Sequence, residues 1–177
     1  MYPPLRLAGR STWTAADCDR AFVLHSPNKA LGLTGIRGAY AVAPGTAGYD
    51  VPAWCRALEA AAPSWPLSAQ ADALLRGWAG RDVQQWVADS HATLAHWKAL
   101  LQQELGARGF TQRASSTPYR CVRPPLAIEP RRLRRHGVAV RDAASFGLPG
   151  WWRVSAQPPR AARALLQAID LEVGGRP

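Results

Sequence analysis

The sequence predicts an α/β chain, and three observations carry that prediction. Short apolar runs bounded by glycine and proline alternate with stretches of helical periodicity. One of those stretches, residues 82–105, is long enough to join two parts of a molecule. After it the pattern restarts as strands and two helices, which is how a small α/β domain reads. At 177 residues the chain has room for one domain or two small ones, and a 47% hydrophobic fraction can furnish a sizeable core.

The elements follow in order. Residues 21–25 are a short apolar run and predict a buried strand; residues 36–43 predict a second, closed by Pro44 and Gly45. A glycine-containing turn around Lys29 lies between them. Pro52 opens a helix running to about residue 62, since proline is tolerated in a first helical turn. Pro63 and Pro66 punctuate the chain, Ser68 caps a helix reaching about Trp78, and Gly80 ends that unit. In residues 82–105, Trp86, Leu94, Trp97, Leu101 and Leu105 recur on one face, and Gly106 and Gly109 stop the pattern. At 1.5 Å per residue this helix is roughly 35 Å long. Beyond it, residues 118–123 predict a strand, 129–136 a basic helix, 138–141 and 151–156 strands, and 159–171 a helix with Leu165, Leu166 and Ile169 inward. Trp151 and Trp152 point to opposite faces of their strand, one ring to the core and the other to a pocket or the surface.

The formal charge is +10, so nucleic acid and anionic ligands both come into view. The charge is spread along the chain as arginines, except in the run Arg131-Arg132-Leu133-Arg134-Arg135-His136. With Leu133 facing inward that run reads as a solvated helix face, and no helix-turn-helix pattern accompanies it, so nucleic acid is the weaker partner. Cys18, Cys55 and Cys121 are scattered without metal-ligand spacing and read as thiols in a reducing compartment. His91 and His96 are five apart, off the spacing that puts two ligands on one helix face. No signal-peptide pattern and no apolar run of membrane-span length is present, which points to the cytoplasm.

The two lysines, Lys29 and Lys98, stand among 22 basic residues, the rest arginines. An arginine cannot lose its proton or form a Schiff base; a lysine amine can do both. Ser26 lies three residues before Lys29 and Arg37 eight after it, with Gly32, Gly35 and Gly38 interspersed. If the strand returns through Ile36, Arg37 folds back beside the turn and offers a fork to phosphate oxygens, and Ser26 adds a hydroxyl. An aldehyde cofactor with a phosphate tail, such as pyridoxal phosphate, needs such a set. It also needs a carboxylate at its ring nitrogen to act as an electron sink. The plain alternative is a strand–turn–strand with an exposed lysine. The Ser-x-x-Lys nucleophile reading fails because Ser-Asp-Asn and Lys-Thr-Gly are missing, and a phosphate-binding loop fails because no glycine precedes Lys29.

The segment Ser26-Pro27-Asn28-Lys29-Ala30-Leu31-Gly32-Leu33-Thr34-Gly35-Ile36-Arg37-Gly38-Ala39-Tyr40 resembles the Schiff-base motif of class I/II aminotransferases, the fold-type I pyridoxal-phosphate enzymes. The resemblance implies Lys29 as the attachment lysine and general acid/base, and Ser26 and Arg37 as phosphate ligands. Asn28 stands beside the lysine, where the family commonly has Ser or Thr. Further on, Gly137-Val138-Ala139-Val140-Arg141-Asp142 and Ser145-Phe146-Gly147-Leu148-Pro149-Gly150-Trp151-Trp152-Arg153-Val154-Ser155 are similar to the terminal segment of histidinol-phosphate aminotransferases and threonine-phosphate decarboxylases. That similarity implies Arg153 as the ligand of a substrate carboxylate and Arg141 as a hold on the substrate's anionic end. The run through Pro149 and Gly150 tilts toward the decarboxylase branch, which acts in cobalamin biosynthesis.

By the same resemblance the fold is the C-terminal part of the family's large cofactor-binding domain (residues 1–80), a connecting helix (81–108) and a small α/β C-terminal domain (109–177). Tyr2 resembles the tyrosine that touches the cofactor's phenolic oxygen, and the ring-nitrogen Asp would precede residue 1. Asp17 and Asp19 sit in a polar connector. The expectation is therefore a fragment of a homodimeric enzyme for a small anionic amino acid, inactive alone, with large apolar faces exposed. A non-catalytic interaction domain is the rival reading.

Overall fold

The computed structural model describes residues 5–9, 13–45 and 50–174, which fall into two compact units: one from residue 9 to Asp89, and one from Ser90 onward that also takes in Arg6–Ala8. Tyr2 lies outside the described residues.

In the first unit, α1 (Ala15–Cys18) is a single turn. It forms because Thr14 and Asp17 close a reciprocal capping box, the Thr14 hydroxyl accepting from the Asp17 N–H and the Asp17 carboxylate accepting from the Thr14 N–H. Strands β1 (Val23–His25) and β2 (Tyr40–Val42) pair antiparallel with His25 opposite Tyr40, and the two rings stack with centroids 5.0 Å apart. Both strands are shorter than expected: residues 21–22 before β1 and 36–39 before β2 lie outside the ladder. Helix α2 (Val51–Ala61) is capped by Asp50, whose carboxylate accepts from the Ala53 N–H, and has Pro52 in its first turn. Ser68 caps α3 (Ala69–Trp78) by accepting from the Ala71 N–H. Helix α3 buries Ala71 and Leu74, whereas α2 buries nothing fully. Leu24, Trp54 and Trp65 remain 78%, 58% and 91% exposed.

Helix α4 (Arg81–Ala107) is continuous over its 27 residues. Its apolar face differs from the expected one at the start: Val87 is buried there, while Trp86 is half exposed. Further along, Leu101 and Leu105 are buried as the periodicity requires.

The second unit is a four-stranded antiparallel sheet in the order β3 (Thr111–Gln112), β4 (Tyr119–Arg123), β6 (Trp152–Ser155), β5 (Arg141–Asp142). The two-residue strand β3 carries no sequence signal; it exists because Gly109 turns the chain back onto β4. The even-numbered residues Val122, Trp152 and Val154 face a core shared with Leu101, Leu105, Phe110, Leu133 and the inward face of α5 (Pro159–Gly174). Trp152 is 1% exposed and its neighbour Trp151 is only half-buried, so the two rings divide between faces. The basic helix that the sequence predicts over 129–136 is a 3-10 helix, Pro130–His136. Pro130 opens it and Gly137, in the left-handed region at φ 74°, closes it. Its basic side is tied down. The Glu172 carboxylate of α5, 1% exposed, accepts from Arg132 at 2.9 Å, Arg135 at 2.6 Å and His136 at 2.9 Å. Arg108 forks across both oxygens of Asp170 at 2.8 and 3.0 Å.

Among the described residues no helix is long and apolar enough to cross a membrane, and no cluster of His, Cys, Asp and Glu is arranged to hold a metal.

Candidate functional site

In the first unit the chain leaves β1 at His25 and enters a 3-10 turn, Pro27–Lys29, with Ser26 at its N-cap. Two side chains fasten this turn to the returning segment. The Ser26 hydroxyl donates to the Gly38 carbonyl at 2.8 Å and lies 3.1 Å from the Asn28 amide oxygen. The buried Asn28 amide nitrogen donates to the Ile36 carbonyl at 3.3 Å. The backbone reinforces the loop, the Leu33 N–H donating to the Asn28 carbonyl at 2.8 Å. Gly32 turns the chain at φ +67°, a region that disfavours side chains. Gly38 has a different reason to lack a side chain: a Cβ there would sit 3.2 Å from the Cβ of Ala71 on α3. Its smallness lets the loop approach α3.

These fastenings bring Ser26, Asn28, Lys29 and Arg37 to the wall of one cleft of about 680 Å³, completed by Gly38, Ala39, Pro66 and Leu67. Lys29 and Arg37 are both exposed, so their charged ends reach a solvent-filled space. The lining carries an amine, a guanidinium, a hydroxyl and an amide, and no carboxylate. Its chemistry matches the aldehyde and phosphate ends of pyridoxal phosphate: an amine that can condense and a guanidinium that can fork onto a phosphate. The pyridine end finds no acid among the lining residues. Asp17 is engaged in capping, where the backbone and side-chain hydrogen bonds of Thr14 hold its carboxyl below the usual range.

In the second unit, Arg141 on β5 and Arg153 on β6 are direct cross-strand partners. Both guanidiniums lie over the Phe146 ring, at 5.3 and 5.7 Å, and Arg153 also lies over Tyr119 at 5.2 Å. Among the described residues neither has a carboxylate partner, so two exposed forks stand side by side on one face. A cleft of about 810 Å³ is lined by Arg141, Asp142 and Ser145 together with Glu129, Arg131 and Arg134. Sequence reasoning did not find Phe146 and Tyr119 as the rings that carry these arginines, nor Arg113 and Arg123, which flank Trp151 at 5.1 and 5.3 Å. The available signal was period two: odd-numbered residues of β4, β5 and β6 share the solvent face.

The family model for aminotransferase class I and II matches residues 7–169. No curated protein sequence matches. Among solved structures, an aspartate aminotransferase from Rhodobacter sphaeroides is 26% identical with a TM-score of 0.72, over 99% of this chain and 47% of that one. The histidinol-phosphate aminotransferase from Clostridium acetobutylicum is 15% identical with a TM-score of 0.73, over 88% and 46%. The L-threonine-O-3-phosphate decarboxylase from Porphyromonas gingivalis is 18% identical with a TM-score of 0.66, over 98% and 53%. The chain thus spans about half the length of the solved structures it resembles.

Proposed function

Because the chain belongs to the class I and II aminotransferase family, we propose that it is the C-terminal part of a pyridoxal-phosphate enzyme for a small anionic amino acid. Residues 1–80 are then a remnant of the cofactor-binding domain, 81–108 the connecting helix and 109–177 the small domain. The observation that carries the reading is the single cleft lined by Ser26, Asn28, Lys29 and Arg37. When bound, the cofactor supplies an electron sink for a carbanion at the substrate's Cα. Lys29 is the residue that attaches it and afterwards moves the proton at Cα. Arg37 holds the phosphate by a charge-assisted fork, and Ser26 and Asn28 fix the turn that aims Lys29. Arg153 orients the substrate carboxylate and Arg141 its further anionic end. Tyr2 is assigned to the cofactor's phenolic oxygen by resemblance alone.

The complete enzyme works as a cytoplasmic homodimer in this reading. Its reaction would be transamination, or decarboxylation of L-threonine O-3-phosphate in cobalamin biosynthesis. In this reading the isolated chain is inactive, because among the described residues that line the cleft none is an acid to hold the ring nitrogen protonated. Reduction with borohydride in the presence of pyridoxal phosphate tests the assignment. A covalent adduct mapped by mass spectrometry to Lys29, absent in Lys29→Ala and weakened in Arg37→Ala, supports it. An adduct spread equally over Lys29 and Lys98 overturns it.

A further inference from the structure

The inward face of β4 carries Arg120 next to Val122, which enters the core. Arg120 is only 7% exposed, yet no carboxylate among the described residues pairs with it. Its two terminal nitrogens donate to amide oxygens, Nη1 to Gln112 at 2.6 Å and Nη2 to Gln102 of α4 at 2.8 Å. The Gln112 amide is fixed in that orientation, because its nitrogen donates to the Gln102 backbone carbonyl at 2.8 Å. The Arg120 Nε–H is buried without an acceptor, and it is the one such side-chain atom among the described residues. Buried donors in native structures are nearly always satisfied, so this one calls for a partner.

A second cation stands beside it. Lys98, one turn before Gln102 on α4, is half-buried and donates its ammonium to the Ser115 carbonyl. Burial pushes the pKa of Lys98 down and the charge of Arg120 pushes the same way, while burial alone lowers that of Arg120. Two cations thus share a partly desolvated space between α4 and the β3–β4 hairpin. Their partners among the described residues are amide and carbonyl oxygens, which solvate a cation without neutralising it. Neither residue lines the clefts around Lys29 or Arg141.

We propose that Lys98 and Arg120 form a binding site for one small monovalent anion, a halide or a carboxylate, received by the Lys98 ammonium and the Arg120 Nε–H. Monovalence follows from the shell. The oxygens of Gln102, Gln112 and Ser115 already point at these cations and would repel a sulfate or phosphate dianion. Smallness follows from burial, since whatever meets the Nε–H has to leave bulk solvent. The bound anion ties α4 to β4 and stiffens the junction between the long helix and the sheet. The assignment does not rest on Lys29 or on the cofactor.

The test follows thermal unfolding of the chain through the indole N–H resonance of Trp152, identified by its loss in Trp152→Phe. Sodium methanesulfonate, whose anion is bulkier, is exchanged stepwise for sodium chloride or sodium acetate at constant ionic strength. At least one of the two is expected to raise the midpoint saturably, by about 4–8 °C. A rise with chloride alone marks a halide site, with acetate alone a carboxylate site, and either supports the proposal. Lys98→Met should raise the half-saturating concentration about tenfold, and Arg120→Leu should abolish the response. Gln102→Glu decides the matter even if Arg120→Leu does not fold. It puts a carboxylate oxygen where the amide oxygen now meets Arg120, so in methanesulfonate it should match the anion-saturated parent and no longer respond to either salt. No rise in either salt, an equal rise with sulfate at matched ionic strength, or a Gln102→Glu chain that keeps the full response overturns the proposal. The amide oxygens would then be the whole shell of Arg120.

Discussion

Asn28 and Lys29 are neighbours with opposite duties. The Asn28 side chain is buried and bonded to the Ile36 carbonyl and the Ser26 hydroxyl, while Lys29 is an exposed residue. Asn28→Ala leaves the Ile36 carbonyl without its donor, and urea denaturation should report a loss of about 1–3 kcal/mol. Lys29→Ala should cost well under that, about 0.5 kcal/mol or less, while abolishing covalent capture of pyridoxal phosphate. A Lys29→Ala chain that unfolds as readily as Asn28→Ala would contradict this division of labour. At this scale the grouping was legible: Ser26, Lys29 and Arg37, which the family resemblance puts in one set, line a common cleft. The work of Asn28 was not, because its bond to Ile36 depends on how the chain returns. Arg113 and Arg123 were missed for a similar reason, since they meet Trp151 only through strand register.

Elements here are held by close approaches and by buried charge. Gly38 touches Ala71 on α3, so Gly38→Ala forces backbone and helix apart and should cost about 1–3 kcal/mol. Ala71→Gly in the same chain should recover part of that loss, and a double variant no more stable than Gly38→Ala would argue against the contact. The tether between α5 and the 3-10 helix gives a pH dependence. Burial pushes the Glu172 carboxyl up, but hydrogen bonds from His136 and Arg135 and the charges of Arg132 and Arg135 outweigh it and hold the group below its ordinary 4.5. A depressed carboxylate stabilises fully above its unfolded value and ceases to as pH falls through the folded value. Thermal stability of the second unit should therefore decline below about pH 4.5, and Glu172→Gln should lower the melting temperature at pH 7 and flatten that acid limb. An unchanged acid limb in the variant would show that another group sets it. Helices with strong periodicity were legible to within a few residues, as α2, α3 and α5 show. The basic helix at Pro130–His136 was legible as well, but its 3-10 bonding was not, because composition reports charge and propensity and not hydrogen-bond spacing.

Across the whole molecule the two units differ in how well they cover their apolar residues. The second has a closed core around Trp152, and Trp152→Ala should cost about 3–5 kcal/mol, measured as lost native-state protection of β4 and β6. The first leaves Leu24, Trp54, Leu58 and Trp65 largely exposed. Surfaces of this kind bind other apolar surfaces. The isolated chain should therefore bind a hydrophobic dye and self-associate in light scattering, and Leu24→Lys with Trp54→Lys should reduce both. A monodisperse monomer that ignores the dye would contradict the exposed faces. That exposure was legible in the sequence through the family resemblance. The distribution of burial between the units was not, because the apolar pattern of α2 looks like that of a covered helix.

The stapled turn at Ser26 and Asn28 has a consequence for how such a chain changes over generations. Its geometry is kept by side-chain bonds to backbone carbonyls that do not involve the amine, so the amine can be erased by one codon change with the scaffold intact. Chemistry and architecture can then drift apart, one fading while the other persists.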